Sequence, residues 1–381
     1  MSPDVAGPVS EVLQSGYVGQ GHQVDRFEAM LQSALQTPYV ATVNSGTSGL
    51  QLALHLLRRG PDGKPVLKGA PEAADGDEII STPVTCTATN WAILADRFKI
   101  KWADVDPDTG NLDPEDVRRK LSPSTKAIIA VHWGGFPCDL AALRSVQEDC
   151  FDRFGFRPTI IEDCAHAWGS RYADLPLGGH GNLCVYSFQA IKSLTTGDGG
   201  CIVLPNQALD TRARLLRWYG LDRTNSKDFR CEQDVAEWGY KFHMNDVNAT
   251  IGIHNLPHIE PLIEAQRQTA AHYDSALAGV AGVRLLASSD PDRVPKGVRS
   301  SYWLYTIRVD RRDDFICRMK ERGIGVSRVH DRNDKHTCVQ DFQTSLPGTD
   351  AFCGDMICIP CGWWVTPEQR EYIVETLREG W

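Results

Sequence analysis

Thr159-Ile-Ile-Glu-Asp163-Cys-Ala-His166-Ala is a short apolar run that stops at an acid and continues into small residues and a histidine. A run of this length, without alternating polar residues, suits a strand covered on both faces, as in a parallel sheet. Similar runs stand at residues 39–43, 78–81, 100–103, 127–132, 183–187 and 200–204. Helical spacing fills residues 24–35, 48–58, 114–120 and 140–150, the second with Leu50, Leu54 and Leu57 on one face. This alternation predicts an α/β domain: a mainly parallel seven-stranded sheet flanked by helices.

Downstream the pattern changes. A long helix is expected over residues 259–277, then a Pro-, Asp- and Ser-rich loop, a strand at 302–309, a helix at 313–322 and a last helix opening at Thr366-Pro367-Glu368. The expected division is a large domain at 1–258, including the N-terminal segment, and a smaller C-terminal α+β domain at 259–381. A chain of 381 residues has ample length for both.

The composition excludes several classes of function. With 42% hydrophobic and 23% charged residues the chain is that of an ordinary globular protein. The 40 Lys and Arg against 49 Asp and Glu give a net charge of -9 with no basic run, so no nucleic-acid partner is expected. The longest charge-free stretch, residues 79–95, holds four threonines, a serine and an asparagine, which is too polar for a membrane span. The N-terminus lacks a basic and an apolar signal region, so the expected location is cytoplasmic. The twelve cysteines are scattered, and Cys358-Ile-Pro-Cys361 lacks a second pair of ligands, so packing rather than a metal is expected there.

Three segments carry chemistry. Asn44-Ser-Gly46-Thr47-Ser48-Gly lies between a strand and a helix, where free N–H groups and hydroxyls form a cup for a phosphate; an ordinary capped turn has the same residues. No Walker lysine and no G-x-G-x-x-G accompanies it, which argues against an NTPase or a dinucleotide site. Asp163 ends its strand at the carboxyl edge of the sheet, the usual ligand edge, where a carboxylate needs a partner such as a protonated pyridine nitrogen. The third is Cys184-Val-Tyr-Ser187-Phe-Gln-Ala-Ile-Lys192-Ser-Leu-Thr-Thr-Gly-Asp-Gly-Gly200, which puts a lysine just past a buried strand beside a glycine-rich turn. A lysine held there can be partly neutral and attack a carbonyl to form a Schiff base.

In this order the three segments resemble the fold type I enzymes that use pyridoxal phosphate, in particular the DegT/StrS-type sugar aminotransferases. The likeness runs nearly end to end: Ser15-Gly-Tyr-Val-Gly-Gln-Gly21 is similar to the family's opening loop, and Gly239-Tyr-Lys-Phe-His-Met-Asn245 to its segment before the long helix. The resemblance implies pyridoxal 5'-phosphate as cofactor, bonded by Lys192, which also shuttles the proton of amino transfer. It implies that Asp163 holds the pyridine nitrogen protonated, that Gly46, Thr47, Ser48 and Ser187 meet the phosphate, and that His166 stands near the phenolic oxygen. Where relatives stack an aromatic on the ring this chain has Cys86, with Trp91 close by. Lys241 and His243 replace residues that reach the phosphate of a neighbouring subunit, implying a homodimer with composite sites.

The activity implied is transfer of an amino group, with glutamate as donor, to a keto sugar attached to a nucleotide. A sugar dehydratase of the same fold is the alternative, which Lys192 argues against, and a non-catalytic regulator is a third reading. For the substrate wall the candidates are Trp133, His132, His330, Arg332, Asn333 and Trp363, because aromatic faces suit sugars or bases and arginine suits a diphosphate.

Overall fold

Alternate residues of the isoleucine-rich strands go to opposite faces of one sheet, and each face has its own core. Ile80, Ile128, Ala130, Ile160 and Tyr186 pack on one side; Ile79, Ala127, Ile129, Ile161 and Val185 pack on the other. A computed structural model describes residues 1–61, 69–224 and 229–381 of the chain. Its strands are β1 (Val40–Val43), β2 (Glu78–Ser81), β3 (Lys99–Trp102), β4 (Thr125–Val131), β5 (Thr159–Asp163), the short pair β6 (Arg171–Tyr172) and β7 (Leu175–Pro176), then β8 (Leu183–Ser187) and β9 (Gly200–Val203). The seven-stranded sheet runs β1-β9-β8-β5-β4-β2-β3. Only β9 is antiparallel to its neighbours, β1 and β8; the other pairings are parallel.

The C-terminal region builds a second sheet from β10 (Val283–Leu285), β11 (Tyr305–Val309) and β12 (Met356–Ile359), antiparallel in that order. Helix Ile259–Leu277 serves both parts: Ile259 and Ile263 join the core of the large sheet, and Ala270, Tyr273 and Leu277 join that of the small one. No helix among the described residues is long and apolar enough to cross a membrane.

Several boundaries differ from those expected. The helix expected at 48–58 is Gly46–His55, because Ser45 caps it by accepting from the Ser48 N–H at 3.1 Å. The strand expected at 302–309 begins at Tyr305, since Tyr302 takes a left-handed φ of 51° that breaks extension. The helix at 140 continues to Phe154, where Gly155 ends it in the left-handed region. Helices Ala6–Ser15, Thr87–Ala95, Gln207–Leu216, Asp246–Asn255 and Pro347–Asp355 were not expected at all.

Candidate active site

Asp163 is the last residue of β5, between β4 and β8 at the carboxyl edge of the sheet, and is 4% exposed. Two donors hold its carboxylate: Thr89 Oγ1 gives to Oδ2 at 2.7 Å, and the Ala165 N–H gives to Oδ1 at 3.0 Å. Because the Thr89 hydroxyl donates there, its contact with Thr85 Oγ1 at 2.8 Å is one in which Thr89 accepts. The first turn of helix Thr87–Ala95 thus brings a hydroxyl to this acid.

Beside it, the first turn of helix Gly46–His55 presses against the ends of β8 and β9. A Cβ on Gly46 would lie 2.9 Å from Ser187 Cβ, and one on Gly200 would lie 2.5 Å from the Tyr186 carbonyl and 2.9 Å from the Gly46 nitrogen. Only glycine allows this approach, which leaves the N–H groups of a helix N-terminus facing the cavity as an anion cup. Thr47 lines the cup. Ser48 does not line it; its hydroxyl is taken up by Ser45 Oγ at 2.9 Å.

Lys192 follows β8 in a turn closed by its N–H to the Gln189 carbonyl at 2.9 Å. Its Nζ sits 3.7 Å from the ring centroid of Trp303. Burial pushes the amine down to about 8, against the pull of Asp163 and Cys86. His166 stacks on Trp303 with centroids 4.2 Å apart, and its Nε2 is 3.3 Å from that of His330. Those two imidazoles lie within 7° of parallel with centroids 5.3 Å apart, so they meet edge to edge through one hydrogen bond. Burial, then the Lys192 charge, holds His166 well below the usual imidazole range and His330 at about 4, so both are neutral at pH 7.

These groups surround a cavity of about 320 Å³. Of the residues expected to meet the cofactor, Gly46, Thr47, Cys86, Asp163, His166, Ser187 and Lys192 line it. Lys241 and His243 do not: the Lys241 carbonyl accepts from Asn44 Nδ2 at 3.1 Å, and the His243 ring packs edge-on against Trp218 with centroids 3.7 Å apart. Within one chain they stand apart from the cup.

The expected substrate wall divides. His330 lines the cavity. Trp133 is 2% exposed, its indole N–H spent on Thr306 Oγ1 at 3.1 Å, so it backs the site without presenting a free face. Asn333 is a buried strut, giving to the Thr85 carbonyl at 2.9 Å and accepting from Asn90 at 2.8 Å. Arg332 is occupied by Asp334 at 2.6 Å and by Asp350. His132 is buried against Glu162 at 3.0 Å. Cys164 completes a triad with that pair that could hold a metal. However, the Cys138 N–H donates to His132 Nδ1 at 2.9 Å, which makes Nε2 the protonated nitrogen and leaves it no lone pair for an ion.

Trp363 lines a second cavity of about 560 Å³ on the other side of Lys192, with Trp303 and Trp364. Sequence reading missed Trp303, which stands between Tyr302 and Tyr305 in an aromatic-rich stretch leading into β11, and Trp364, hidden in the Trp-Trp pair.

The donor set fits a pyridine aldehyde bearing a phosphate: a cup for the dianion, an oriented carboxylate for a ring nitrogen, and a buried amine of lowered basicity for the aldehyde. Sheet order, edge and lysine together define a fold type I transferase. The chain belongs to the DegT/DnrJ/EryC1/StrS aminotransferase family, whose sequence profile matches residues 2–378. It is similar to AtS13 from Actinomadura melliaura, 48% identical with a TM-score of 0.92 over 100% of this chain and 96% of that one. It is also similar to the sugar aminotransferase CalS13 from Micromonospora echinospora, 42% identical, TM-score 0.92, covering 100% and 98%. A third is the PLP-form of the putative sugar aminotransferase Spr1654 from Streptococcus pneumoniae, 26% identical, TM-score 0.86, covering 100% and 96%.

Proposed function

We propose that this protein is a pyridoxal phosphate-dependent aminotransferase that converts a nucleotide-linked keto sugar into an amino sugar, with an amino acid, glutamate, as donor. The observation that carries the reading is the convergence of Lys192, Asp163 and the Gly46 helix start on one cavity. When bound, pyridoxal phosphate supplies an aldehyde for the amino group and a ring that draws electrons away from the reacting carbon.

This chain's residues supply the rest. The N–H groups at Gly46 and Thr47, with the Ser187 hydroxyl, bind the phosphate. Asp163, held by Thr89, keeps a proton on the ring nitrogen, and Cys86 packs on the ring face. His166 meets the phenolic oxygen as a neutral imidazole, so it adds no charge. Lys192, once released, carries the proton between the two carbons; an amine titrating near 8 does this well close to neutral pH. The sugar stands between Lys192 and the tryptophans of the larger cavity, within reach of His330. Lys241 and His243 reach the phosphate cup of a second subunit in a homodimer, which sedimentation at micromolar concentration tests.

The deciding experiment mixes the purified protein with pyridoxal phosphate and then with glutamate, following absorbance. A bound chromophore that glutamate converts, and that a nucleotide-linked keto sugar restores, supports the reading. A chromophore that glutamate leaves untouched points to a regulator, and release of water from the sugar without net amino transfer points to a dehydratase.

A further inference from the structure

Trp303 stands in contact with both partners of the reacting centre. Lys192 Nζ lies over its ring at 3.7 Å, and the His166 ring stacks on it at 4.2 Å and 25°. The indole has little freedom. Its Nε1–H donates to the Ile191 carbonyl at 3.0 Å, so the ring is tied to the peptide that leads into Lys192. In the bend that precedes β11 it is bracketed by Tyr302, whose N–H donates to Ser300 Oγ at 3.0 Å, and by Leu304, whose N–H donates to the Gly134 carbonyl at 3.1 Å. An aromatic face fixed at this distance attracts an ammonium through its quadrupole, and most strongly where water is scarce.

We propose that Trp303 is a positioning residue for Lys192: its face holds the lysine's nitrogen whenever that nitrogen is not bonded to the cofactor. The inference rests on the reading of Lys192 as the cofactor-bonding lysine. Each catalytic cycle frees Lys192 and then recovers it. A loose ammonium on four methylenes loses its place, whereas one held on Trp303 stays beside the cavity. In the capture of free aldehyde that the test follows, the ammonium first gives a proton to water; the amine nitrogen would then bond the aldehyde carbon, and the aldehyde oxygen would leave as water with the amine's two remaining protons, whereas in the cycle the leaving group would be the amino product. The charged and titratable groups facing Nζ are Asp163 on β5, Cys86 before helix Thr87–Ala95, His166 after β5, and His330 on the small-domain loop. Asp163 and Trp303 favour the ammonium, and burial opposes it.

The test uses cofactor-free protein and follows capture of pyridoxal phosphate by absorbance across pH in wild type and in Trp303→Leu, Trp303→Met and Trp303→Phe. The rate rises with pH as the ammonium loses its proton, with a wild-type midpoint near 8. Leu and Met remove the π face, so the ammonium loses support and the midpoint falls by on the order of one pH unit. Phe keeps a ring and retains most of the wild-type midpoint. Two independent apolar variants keep the test open if one fails to fold, as judged by circular dichroism. A midpoint that is unchanged or raised in both apolar variants overturns the proposal, as does a Phe variant that shifts as far as Leu. If borohydride labelling of the wild type falls on another lysine, the underlying reading fails instead.

Discussion

Thr89 Oγ1 and Asp163 Oδ2 are joined at 2.7 Å across 74 residues of sequence, and this bond fixes the direction of the carboxylate at the floor of the cavity. An acid aimed by two donors keeps its geometry through the cycle without reorganising.

The first prediction follows from that bond. Asp163→Asn removes the charge proposed to face the ring nitrogen, and turnover is expected to fall by about a hundredfold or more with the fold intact. Thr89→Val leaves the charge but frees its direction, and about a tenfold loss is expected, the lower end of the ~1.5–3 kcal/mol of one hydrogen bond to a charged group, because the Ala165 N–H still holds the carboxylate. Equal losses in the two variants, measured by single-turnover absorbance, would show that orientation and charge are not separable here.

Borohydride reduction of the protein with pyridoxal phosphate, followed by peptide mapping, should place the label on Lys192. Lys241 is the contrasting site, because its segment lies outside the cavity of its own chain. A label recovered on the 239–245 peptide would remove Lys192 from the chemistry.

Gly46→Ala pushes a methyl to 2.9 Å from Ser187 Cβ, so the helix start must back away from β8. Overpacking of this kind costs about 1–3 kcal/mol. The anion cup opens with it, and a rise of about tenfold in the dissociation constant for pyridoxal phosphate is expected, read by titration of fluorescence. An unchanged constant would mean that the phosphate is held elsewhere.

Acid stability has a separate origin. Burial pushes the Glu28 carboxyl up, but the Arg217 and Arg214 guanidiniums at 2.5 and 2.6 Å outweigh it and hold the group down at about 2. A lowered carboxylate stabilises the fold above its unfolded value near 4.5, and that contribution is lost as pH falls from there towards 2. Glu28→Gln leaves Arg217 buried without its partner and should destabilise by ~3–5 kcal/mol at pH 7. In urea unfolding the variant should also lose less stability than wild type between pH 5 and pH 3 (about those limits). A parallel slope in the two proteins would exclude Glu28 as the acid-sensitive group.

Much of this was legible beforehand, for identifiable reasons. Strands buried on both faces leave unbroken apolar runs, so all seven strands of the large sheet were found within a residue or two. Asp163, Lys192 and Gly46 were legible because each sits where a strand gives way to a turn. The helix Thr87–Ala95 was not, because Thr-Ala-Thr-Asn carries no helical stripe; its Thr89 serves Asp163 and Thr85 rather than solvent. Arg332 and Asn333 read as ligands from their type alone, and only the fold reveals that Asp334, Asp350, Asn90 and Thr85 already occupy them. Trp303 stayed hidden because what matters is its distance to Lys192, 111 residues earlier, and no local pattern encodes that.

The helix Ile259–Leu277 is rooted at one end in the core of the large sheet and at the other in that of the small one, and Gln266 in its middle lines the larger cavity. A rod clamped at both ends behaves as a beam, not a pivot. Any displacement of the small sheet relative to the large one loads this helix, and Gln266 is where that load meets the cavity wall. The shape of the larger cavity is therefore tied to the curvature of one helix.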